Sequence, residues 1–581
     1  MPPFSRTVQQ PMTTRRLLLL SIFTLLQGCG GGGGGGGGST GPGPTPAPTP
    51  TPTAPGSFSA SLRFDPATQR FVATWNAAQG AARYRMQLKR DNVTDFAALA
   101  GAENLSPTIL DFSFAVGFTI QWTAAAVRVE ACNAVGCTPA TQLPLLPHLA
   151  EALASKQILN VPADANELEV AVSADGNTLV VGAPLEDGED GLQHDKGVVY
   201  VFTRTGTAWN EQPALLRAPN GEGGGTPQAP GDLFGLAVAL SADGGTLAVG
   251  APLEDGSLTS TVENENDSTP DSGAVYVFVR NGSTYALQAY LKAVPGTFDS
   301  LSTRDHFGSS LALAADGGTL VVSAPLAEVV PQPDFDDGAA YVFTRNAAAW
   351  TQRAVLGGPH TPDNTNDQFG RPVAISADGA TIAVGAPFAD GGVAESGAAY
   401  VFTTTDRVQW QREAYLQAPN ADIEDTFGVG VALSADGNTL AVGAPGEDGD
   451  ATSTLDADNE NLESAGAAYV FTRGASGWST TPAYLKPSTT IELAQFGSTL
   501  SLTSGGNELA VGAPFDLSVP TLEGAVFVFL RVGASWLQQA RFDAGVVEFG
   551  KTIALTADGA TLFSGAETSQ SAPIAGAVHV Y

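Results

Sequence analysis

The sequence has few of the residues that carry most catalytic and metal-binding chemistry. It contains five histidines and three cysteines in 581 residues, and the scattered histidines match no metal-ligand spacing. No Gly-x-Ser-x-Gly, Walker or dinucleotide glycine pattern occurs where a strand leads into a helix. We therefore expect no catalytic residues and no organic cofactor.

Basic residues and long apolar runs are also scarce. Lysine and arginine number 27 against 59 acidic residues, which gives a net charge of −32. Nucleic-acid interfaces need clustered lysine and arginine, so this composition excludes nucleic acid as a partner. The apolar run at 17–26 is too short to span a bilayer.

An internal repeat is what the sequence has in abundance. FGLAVALSADGGTLAVGAP (234–252) returns almost unchanged as FGVGVALSADGNTLAVGAP (427–445). Two short motifs mark each copy of the repeat, and we call them anchors. They are Gly-Ala-Pro and Gly-[Ala/Val]-x-x-Val-[Phe/Tyr], and each occurs seven times, with variants in some copies. The first begins at 182, 250, 323, 385, 443, 512 and 565, and the second at 197, 273, 338, 397, 466, 524 and 576. A repeat of roughly 50–75 residues indicates one supersecondary unit used many times.

Each unit is interpreted as four short strands. In the second unit the first three are 238–241, 246–250 and 275–278, and segments such as 410–417 supply the fourth. The turn at 242–245 has the Asp-Gly-Gly sequence of a tight hairpin. Strands that are apolar on both faces suit sheets covered on both sides. We therefore predict an all-β fold with seven four-stranded sheets in a β-propeller; the alternative is a solenoid, which needs polar capping units.

The last unit ends after its third strand, at 580–581. The segment 151–162 resembles a fourth strand, because Ile158-Leu159-Asn160 matches 415–417 and 484–486 in the pattern. We expect this N-terminal strand to complete the last sheet, which would remove an exposed edge.

The paired Phe-Gly and Gly-Ala-Pro anchors of 150–581 resemble FG-GAP repeats, the blades of the integrin α N-terminal propeller that also occur in bacterial surface and secreted proteins. The first unit departs, with Leu168-Glu169 in place of Phe-Gly. The resemblance implies a seven-bladed propeller and a role in binding or adhesion. Integrin-type blades often carry a calcium loop between the first two strands. Here that turn is only Ser-Ala-Asp-Gly, as at 241–244, so each Asp is interpreted as a turn former and not as a calcium ligand.

Nearly half of the acidic residues lie between the second and third predicted strands, with Lys196 as the one lysine or arginine there. In an up-and-down sheet these loops and the inter-blade connections share one face of the disc. The arginines that follow the third strand should lie on the opposite face, at 204, 280, 345, 473 and 531. Binding is usually carried by variable loops on a rigid scaffold. The acidic face is therefore the candidate binding face, for an unknown protein or glycan.

In two of these loops acidic residues alternate with other residues, a pattern that resembles the first positions of a calcium-binding loop. The candidate ligands are Asp456, Asp458, Glu460, Glu463, Glu263, Glu265 and Asp267. The turn glycine and the terminal bidentate glutamate of a calcium loop are missing. Calcium is thus one hypothesis, and a solvated acidic loop is the other.

Residues 1–29 have the pattern of a signal peptide, in which Arg15-Arg16 precede the apolar run. Leu-Gln-Gly-Cys29 resembles a lipobox, which implies a diacylglycerol on Cys29 and membrane contact only through that lipid. In such lipoproteins an Asp after the lipidated Cys favours retention in the inner membrane, and here that position is Gly30. We therefore expect a bacterial envelope protein at the outer membrane or cell surface. Secretion after cleavage is the alternative. The linker 30–56 is glycine and then Pro/Thr-rich, and its second part gives a standoff on the order of 45 Å.

Residues 57–145 resemble a fibronectin type III module, a small β-sandwich. Phe71–Trp75 matches its second strand, Tyr84–Leu88 the third, and Val127–Cys137 the last hairpin. Cys132 and Cys137 flank a four-residue turn, which fits a disulfide in an oxidising compartment. Two buried free thiols are the alternative.

The combined features favour a non-enzymatic, lipid-anchored binding or adhesion protein outside the cytoplasm. A periplasmic scaffold of an envelope complex and a propeller hydrolase or lyase are the alternatives. Acidic pairs such as Glu254-Asp255 and Glu447-Asp448 recur in equivalent loops, whereas an active site requires one asymmetric arrangement. The enzyme is therefore the weaker hypothesis.

Overall fold

The computed structural model is built from antiparallel strands, and its described residues contain no α-helix. It describes residues 53–65, 70–90, 95–99, 101–114, 124–148, 157–163, 167–187, 194–206, 208–223, 231–257, 261, 268–294, 304–328, 338–358, 366–390, 392–455, 461–516, 524–544, 546–567 and 575–581. Within these ranges, no helix has the length and apolar character needed to cross a bilayer.

Two sheets that share one core lie before the repeats. The first has the order β1-β2-β5 and the second the order β4-β3-β6-β7, with β8 also paired to β6. The strands are β1 Ala60–Asp65, β2 Arg70–Trp75, β3 Arg83–Lys89, β4 Ala97–Ala98, β5 Asp111–Phe114, β6 Ala126–Cys132, β7 Cys137–Pro139 and β8 Leu143–Pro144, followed by a 3-10 turn at Leu146–His148. We call this region the sandwich.

Strand alternation explains how the sandwich packs. Tyr84 and Met86 point from β3 into the core, where they join Phe71 and Trp75 of β2. On the other side of the same sheet, the buried Glu130 carboxylate lies 2.5 Å from Arg85 Nε. Cys132 and Cys137 are register partners and form a disulfide, so the free-thiol alternative is wrong.

The repeats form seven antiparallel sheets of the same strand order, which we number 1 to 7 along the chain. Sheets 1 to 3 comprise β10 Glu169–Val172, β11 Thr178–Ala183, β12 Val198–Thr205 and β13 Ala208–Glu211; β14 Ala237–Leu240, β15 Thr246–Ala251, β16 Ala274–Asn281 and β17 Thr284–Leu291; and β18 Leu311–Leu313, β19 Thr319–Ala324, β20 Ala339–Asn346 and β21 Ala349–Leu356.

Sheets 4 to 7 repeat the pattern, and β9 Gln157–Ala163 joins the last of them. They comprise β22 Val373–Ile375, β23 Thr381–Ala386, β24 Ala398–Thr403 and β25 Gln411–Leu416; β26 Gly430–Leu433, β27 Thr439–Ala444, β28 Ala467–Gly474, β29 Gly477–Trp478 and β30 Ala483–Leu485; β31 Thr499–Leu502, β32 Glu508–Ala513, β33 Ala525–Val532 and β34 Ser535–Phe542; and β35 Val547–Leu555, β36 Leu562–Glu567 and β37 Ala575–Val580.

The first strands of the sheets contact one another in a closed cycle. The order is β10, β14, β18, β22, β26, β31, β35 and back to β10. Apolar clusters fill the space between neighbouring sheets, and the second strands are buried along their whole described length. All-β sheets packed in a cycle fit a propeller.

The two glycine-containing anchors lie where the backbones of adjacent sheets touch. Gly235 has φ +101°, and a Cβ added to Gly182 of the preceding sheet would lie 2.0 Å from the Gly235 carbonyl oxygen. Phe234 is fully buried and meets the Tyr276 ring edge to face at 5.4 Å. The Phe-Gly of one sheet therefore fits against the Gly-Ala-Pro of the sheet before it.

Sheet 7 is completed by β9, which comes from the other end of the repeat region. Asn160 is the register partner of Ala577, and Leu159 of Val578. At the junction of sheets 7 and 1, burial raises the pKa of Glu169 to about 7, while a hydrogen bond with Thr552 acts against this rise. The first unit has Leu168-Glu169 where the other units have Phe-Gly. This difference places the Glu169 carboxyl group at the junction where the cycle of sheets closes.

Candidate functional site

The repeated strands divide the molecule's loops between two faces. Each turn between first and second strands, and each between third and fourth, lies at one end of its sheet, which we call the hairpin face. The loops between second and third strands, and the connections between sheets, lie at the other end, the loop face. In sheet 2 the pair Leu240 and Leu247 marks the hairpin end and the pair Ala251 and Ala274 the loop end.

On the hairpin face the repeated Asp accepts hydrogen bonds within its own turn. The Asp243 Oδ1 atom accepts from Ser241 Oγ at 2.6 Å and from Gly245 N at 2.8 Å. These hydrogen bonds lower the pKa of Asp243. Ser241 Oγ in turn accepts from Thr246 N at 2.8 Å, so the Ser-Ala-Asp-Gly sequence forms a self-contained turn, as predicted.

A row of backbone hydrogen bonds joins these turns from sheet to sheet. The N–H of Ala174 donates to the carbonyl of Ala242, and that of Ala242 to Ala315. The row continues through Ala377, Ala435 and Ser504 to Ala557, with N···O distances of 2.9–3.1 Å. Six hydrogen bonds thus connect the turns of all seven sheets.

The predicted arginines of this face also connect sheets. Arg280 Nη1 donates to Thr178 Oγ1 of the preceding sheet at 3.2 Å, and Arg345 Nη1 donates to Thr246 Oγ1 at 3.0 Å. Arg473 pairs with Glu413 of the preceding sheet at 2.7 Å. The backbone N–H groups of Arg204 and Arg531 donate to the preceding turn of their own sheets. Three of these five guanidinium groups therefore bond across a junction between sheets.

On the loop face the glutamate of two acidic pairs lies in a buried ion pair. The Glu254 side chain is fully buried, and its Oε2 lies 2.5 Å from Lys292 Nζ at the end of β17. Tyr290 also donates to Glu254. In sheet 5, Glu447 has the same two partners, Lys486 and Tyr484. Two further ion pairs at this end of their sheets are longer. Glu186 lies 3.7 Å from Arg217, and Asp516 lies 3.4 Å from Arg541.

The second residue of the pair holds the returning end of the same loop. Asp255 Oδ1 accepts from Asp271 N at 2.8 Å, and Asp448 Oδ1 accepts from Ser464 N at 2.7 Å. Asp187 accepts in the same way from Asp195 N at 3.2 Å. In sheets 1, 2 and 5 the acidic pair therefore anchors both ends of its loop.

A further row of acids on this face was missed by the sequence analysis. An aspartate two residues before Phe-Gly is buried in sheets 2 to 5, as Asp232, Asp305, Asp367 and Asp425. Asp232 Oδ2 accepts from Glu222 N at 2.9 Å, and Asp425 Oδ2 from Asp422 N at 2.8 Å. The sequence signal was present as Asp-x-Phe-Gly in four consecutive units.

Of the candidate calcium ligands, only Glu463 lies within the described residues, so the calcium hypothesis stays a prediction. Asp456, Asp458, Glu460, Glu263, Glu265 and Asp267 lie outside the described residues, as does the predicted lipid site Cys29. Glu463 is described, and its backbone carbonyl accepts from Leu493 N at 2.8 Å. In the described part of the chain, the one cluster with three suitable groups is Glu130, Cys132 and Cys137. Its cysteines form the disulfide, so they are not thiolate ligands.

A shallow cleft lies between sheets 7 and 1. Its lining includes Leu168, Thr552, Gly565 and Lys551. The Lys551 Nζ atom lies 2.6 Å from the Glu548 carboxylate and 3.8 Å from that of Glu167. Its enclosed volume of about 10 Å³ is close to the room that one water molecule needs.

Comparison with known proteins identifies the repeats. Residues 228–278, 350–402 and 410–471 match the FG-GAP repeat family, which confirms the predicted repeat type in these segments. No curated protein matches the chain.

Solved structures resemble the chain at low identity. A periplasmic gluconolactonase of Pseudomonas aeruginosa is 17% identical, covers 73% of this chain and 93% of its own, and has a TM-score of 0.41. U3-55K is 11% identical, with 72% and 98% covered and a TM-score of 0.39. The WD40 repeats of RRP9 are 10% identical, with 73% and 97% covered and a TM-score of 0.39. Similarity at this level transfers no activity.

Proposed function

We propose that the chain is a non-enzymatic, lipid-anchored binding or adhesion protein that presents the loop face to a protein or glycan outside the cytoplasm. FG-GAP repeats support a binding or scaffold role in general. The observation that carries the finer proposal is the contrast between the faces. Turns of the hairpin face repeat one sequence and one hydrogen-bond pattern from sheet to sheet, whereas loops of the other face differ in length and sequence.

The proposed architecture is a seven-bladed propeller after a fibronectin type III-like sandwich. Support for the blade number comes from the seven sheets of one strand order and the closed cycle of their first strands. The sheet orders β1-β2-β5 and β4-β3-β6-β7 support the fibronectin-like assignment. Rigid sheets behind variable loops are a common arrangement for recognition.

The proposed location is the bacterial envelope, with the lipid on Cys29 and a spacer that carries the protein clear of the membrane. The disulfide of Cys132 and Cys137 supports an oxidising compartment. Protease treatment of intact cells tests surface exposure. If the propeller is cut only after the outer membrane is opened, a periplasmic scaffold replaces surface adhesion.

Affinity capture with the whole chain, from envelope and extracellular fractions and on glycan arrays, tests the binding face. One variant replaces 256–270 of sheet 2 with a short Gly-Ser loop. The matched control changes the hairpin-face tip Gly282-Ser283 to Asn-Gly, a favoured two-residue turn. We expect a ligand to be lost by the loop variant or by equivalent changes in other sheets, and to be retained by the control. Ligands lost only on changing hairpin tips would contradict the proposal.

A further inference from the structure

The second strands of most sheets begin with the same residue, close to the hairpin face. In sheets 1 to 5 this residue is threonine, at Thr178, Thr246, Thr319, Thr381 and Thr439. Each threonine lies under the turn glycine of the following sheet, where an added Cβ would lie 2.8–3.1 Å from the threonine Oγ1 atom. A small hydroxyl group is thus the usual contact between a second strand and the next turn.

Sheet 6 departs from this arrangement with Glu508 at the threonine position. Its side chain is fully buried, and neither carboxylate oxygen has a hydrogen-bond partner among the described residues. It lies against the turn of sheet 7, because a Cβ added to Gly559 would lie 1.9 Å from Glu508 Oε2. On its own sheet Glu508 is the register partner of the buried Leu530, and strand alternation places the following Arg531 on the other face of the sheet. A carboxyl group is therefore enclosed where the other sheets hold a hydroxyl group.

The turn of sheet 7 uses its nearby backbone donors for its own hydrogen bonds. Gly559 N donates to the Thr556 carbonyl oxygen at 2.9 Å, and Ala560 N donates to Asp558 Oδ1 at 3.0 Å. A carboxylate that is buried without a donor carries a large desolvation cost, whereas the neutral acid carries a much smaller one. The enclosed Glu508 is therefore held in its neutral form.

The charged groups around Glu508 leave this preference in place. Burial raises the pKa of Glu508 to about 8, the Arg90 guanidinium acts against this rise, and Asp558 of the turn adds to it. In β35, which packs against β32, Lys551 Nζ lies 2.6 Å from Glu548, toward the loop-face end of the strand. Strand β31 carries no titratable group. In these described elements, no cation is hydrogen-bonded to the Glu508 carboxylate.

We propose that Glu508 is a proton-controlled latch between sheets 6 and 7, closed while its carboxyl group is neutral and released when that group ionises. An ionised carboxylate needs water, and the turn of sheet 7 covers it, so the turn must move. This motion breaks the hydrogen bond from Ser504 N to Ala557 O, at 3.1 Å, which joins the two turns in the row of the hairpin face. The latch is therefore closed in mild acid and loosens as the pH rises, and it acts on the sheet that β9 completes.

Hydrogen exchange of the whole chain by mass spectrometry tests this latch, at several pH values from 6 to 8 and after correction for intrinsic rates. Because the closed-state pKa of about 8 exceeds the ordinary value of 4.5, the opening constant should rise about tenfold per pH unit until the pH nears the closed-state pKa. We expect this rise in peptides over 503–507 and 556–561. Peptides over the equivalent turns of sheets 2 and 3, which have threonine in place of Glu508, should show no such rise.

Two variants remove the titrating group in different ways. Glu508→Thr restores the residue of sheets 1 to 5, and Glu508→Gln keeps the size of the side chain without its charge, so both should abolish the rise. Glu413→Gln is the matched control, because it removes an acid that pairs with Arg473 near the same face, and it should leave the rise unchanged. A rise that persists without Glu508, that is absent from the native chain, or that is equal in sheets 2 and 3 would overturn the proposal. These results do not depend on a ligand for the loop face, so they stand apart from the binding proposal.

Discussion

The two faces use their polar residues differently. On the hairpin face, hydrogen bonds run from one sheet to the next, as from Ala174 to Ala242 and from Arg280 to Thr178. On the loop face, ion pairs such as that of Glu254 with Lys292 hold a loop to its own sheet. Backbone groups at the loop ends also bond to the next sheet, as from His306 N to Asp271 O. Both faces therefore join neighbouring sheets, but only the loop face adds buried ion pairs within a sheet.

The largest expected effect is the loss of a loop anchor. Lys292→Ala leaves the buried Glu254 carboxylate without its cation, so we expect a loss of about 3–5 kcal/mol in the free energy of unfolding. The measurement is chemical denaturation with exchange mapping. Lys292→Met with Glu254→Gln removes both charges and should recover most of the loss. A change that spreads to all sheets, and not mainly to sheet 2 and its neighbour, would contradict a local role for this ion pair.

A hairpin-face change should be smaller but should reach farther. Ser434→Ala removes the hydroxyl that accepts from Thr439 N at 2.9 Å and donates to Asp436 at 2.6 Å. Leaving a buried N–H without an acceptor costs about 1–3 kcal/mol. Because Ala435 N donates to Ser504 O of the next sheet, exchange should rise in sheets 5 and 6. An effect limited to sheet 5 would argue against a connected face.

Acid should weaken the turns of the hairpin face. Hydrogen bonds from Ser434 and Asn438 lower the pKa of Asp436 in the folded state. Its contribution to stability is thus present above the unfolded pKa of about 4 and is lost as pH falls through the folded value. Asp436→Asn should flatten the stability profile below about pH 4, measured by thermal unfolding. An unchanged acid slope in this variant would contradict this role.

The smallest effect should come from loop length. Replacing 256–270 with a short Gly-Ser loop keeps Glu254, Asp255 and Asp271, and halving a loop changes closure free energy by only about 0.6 kcal/mol. Denaturation should show little change. A loss comparable to that of Lys292→Ala would mean that the loop itself supports the ring.

The repeat allowed much of the fold to be predicted from sequence. The strands predicted at 238–241 and 246–250 correspond to Ala237–Leu240 and Thr246–Ala251, because hairpin turns and apolar strands are local signals. The partner of Glu254 was not predicted. Lys292 lies 38 residues away, and only the fold shows that the ends of β15 and β17 meet.

Glu508 was missed for a related reason. In sequence it is one acid among 59, and its burial depends on how closely sheet 7 approaches. The threonines of the other units were a usable signal, since one unit breaks their pattern. Sequence comparison within the chain finds such departures, but only packing shows that this carboxylate is buried against sheet 7 without a hydrogen-bond partner among the described residues.

The pairing of β9 with β37 has a consequence for the order of assembly. Sheet 7 joins Leu159 to Val578, so a strand that emerges early from the ribosome must wait for one that emerges much later. Such distant pairing is slow because a long chain segment must first be closed. Sheets 1 to 6 can form from local hairpins in the meantime, and an unfilled edge on the incomplete ring is open to other strands. Aggregation during folding should therefore fall most when this distant pairing is accelerated.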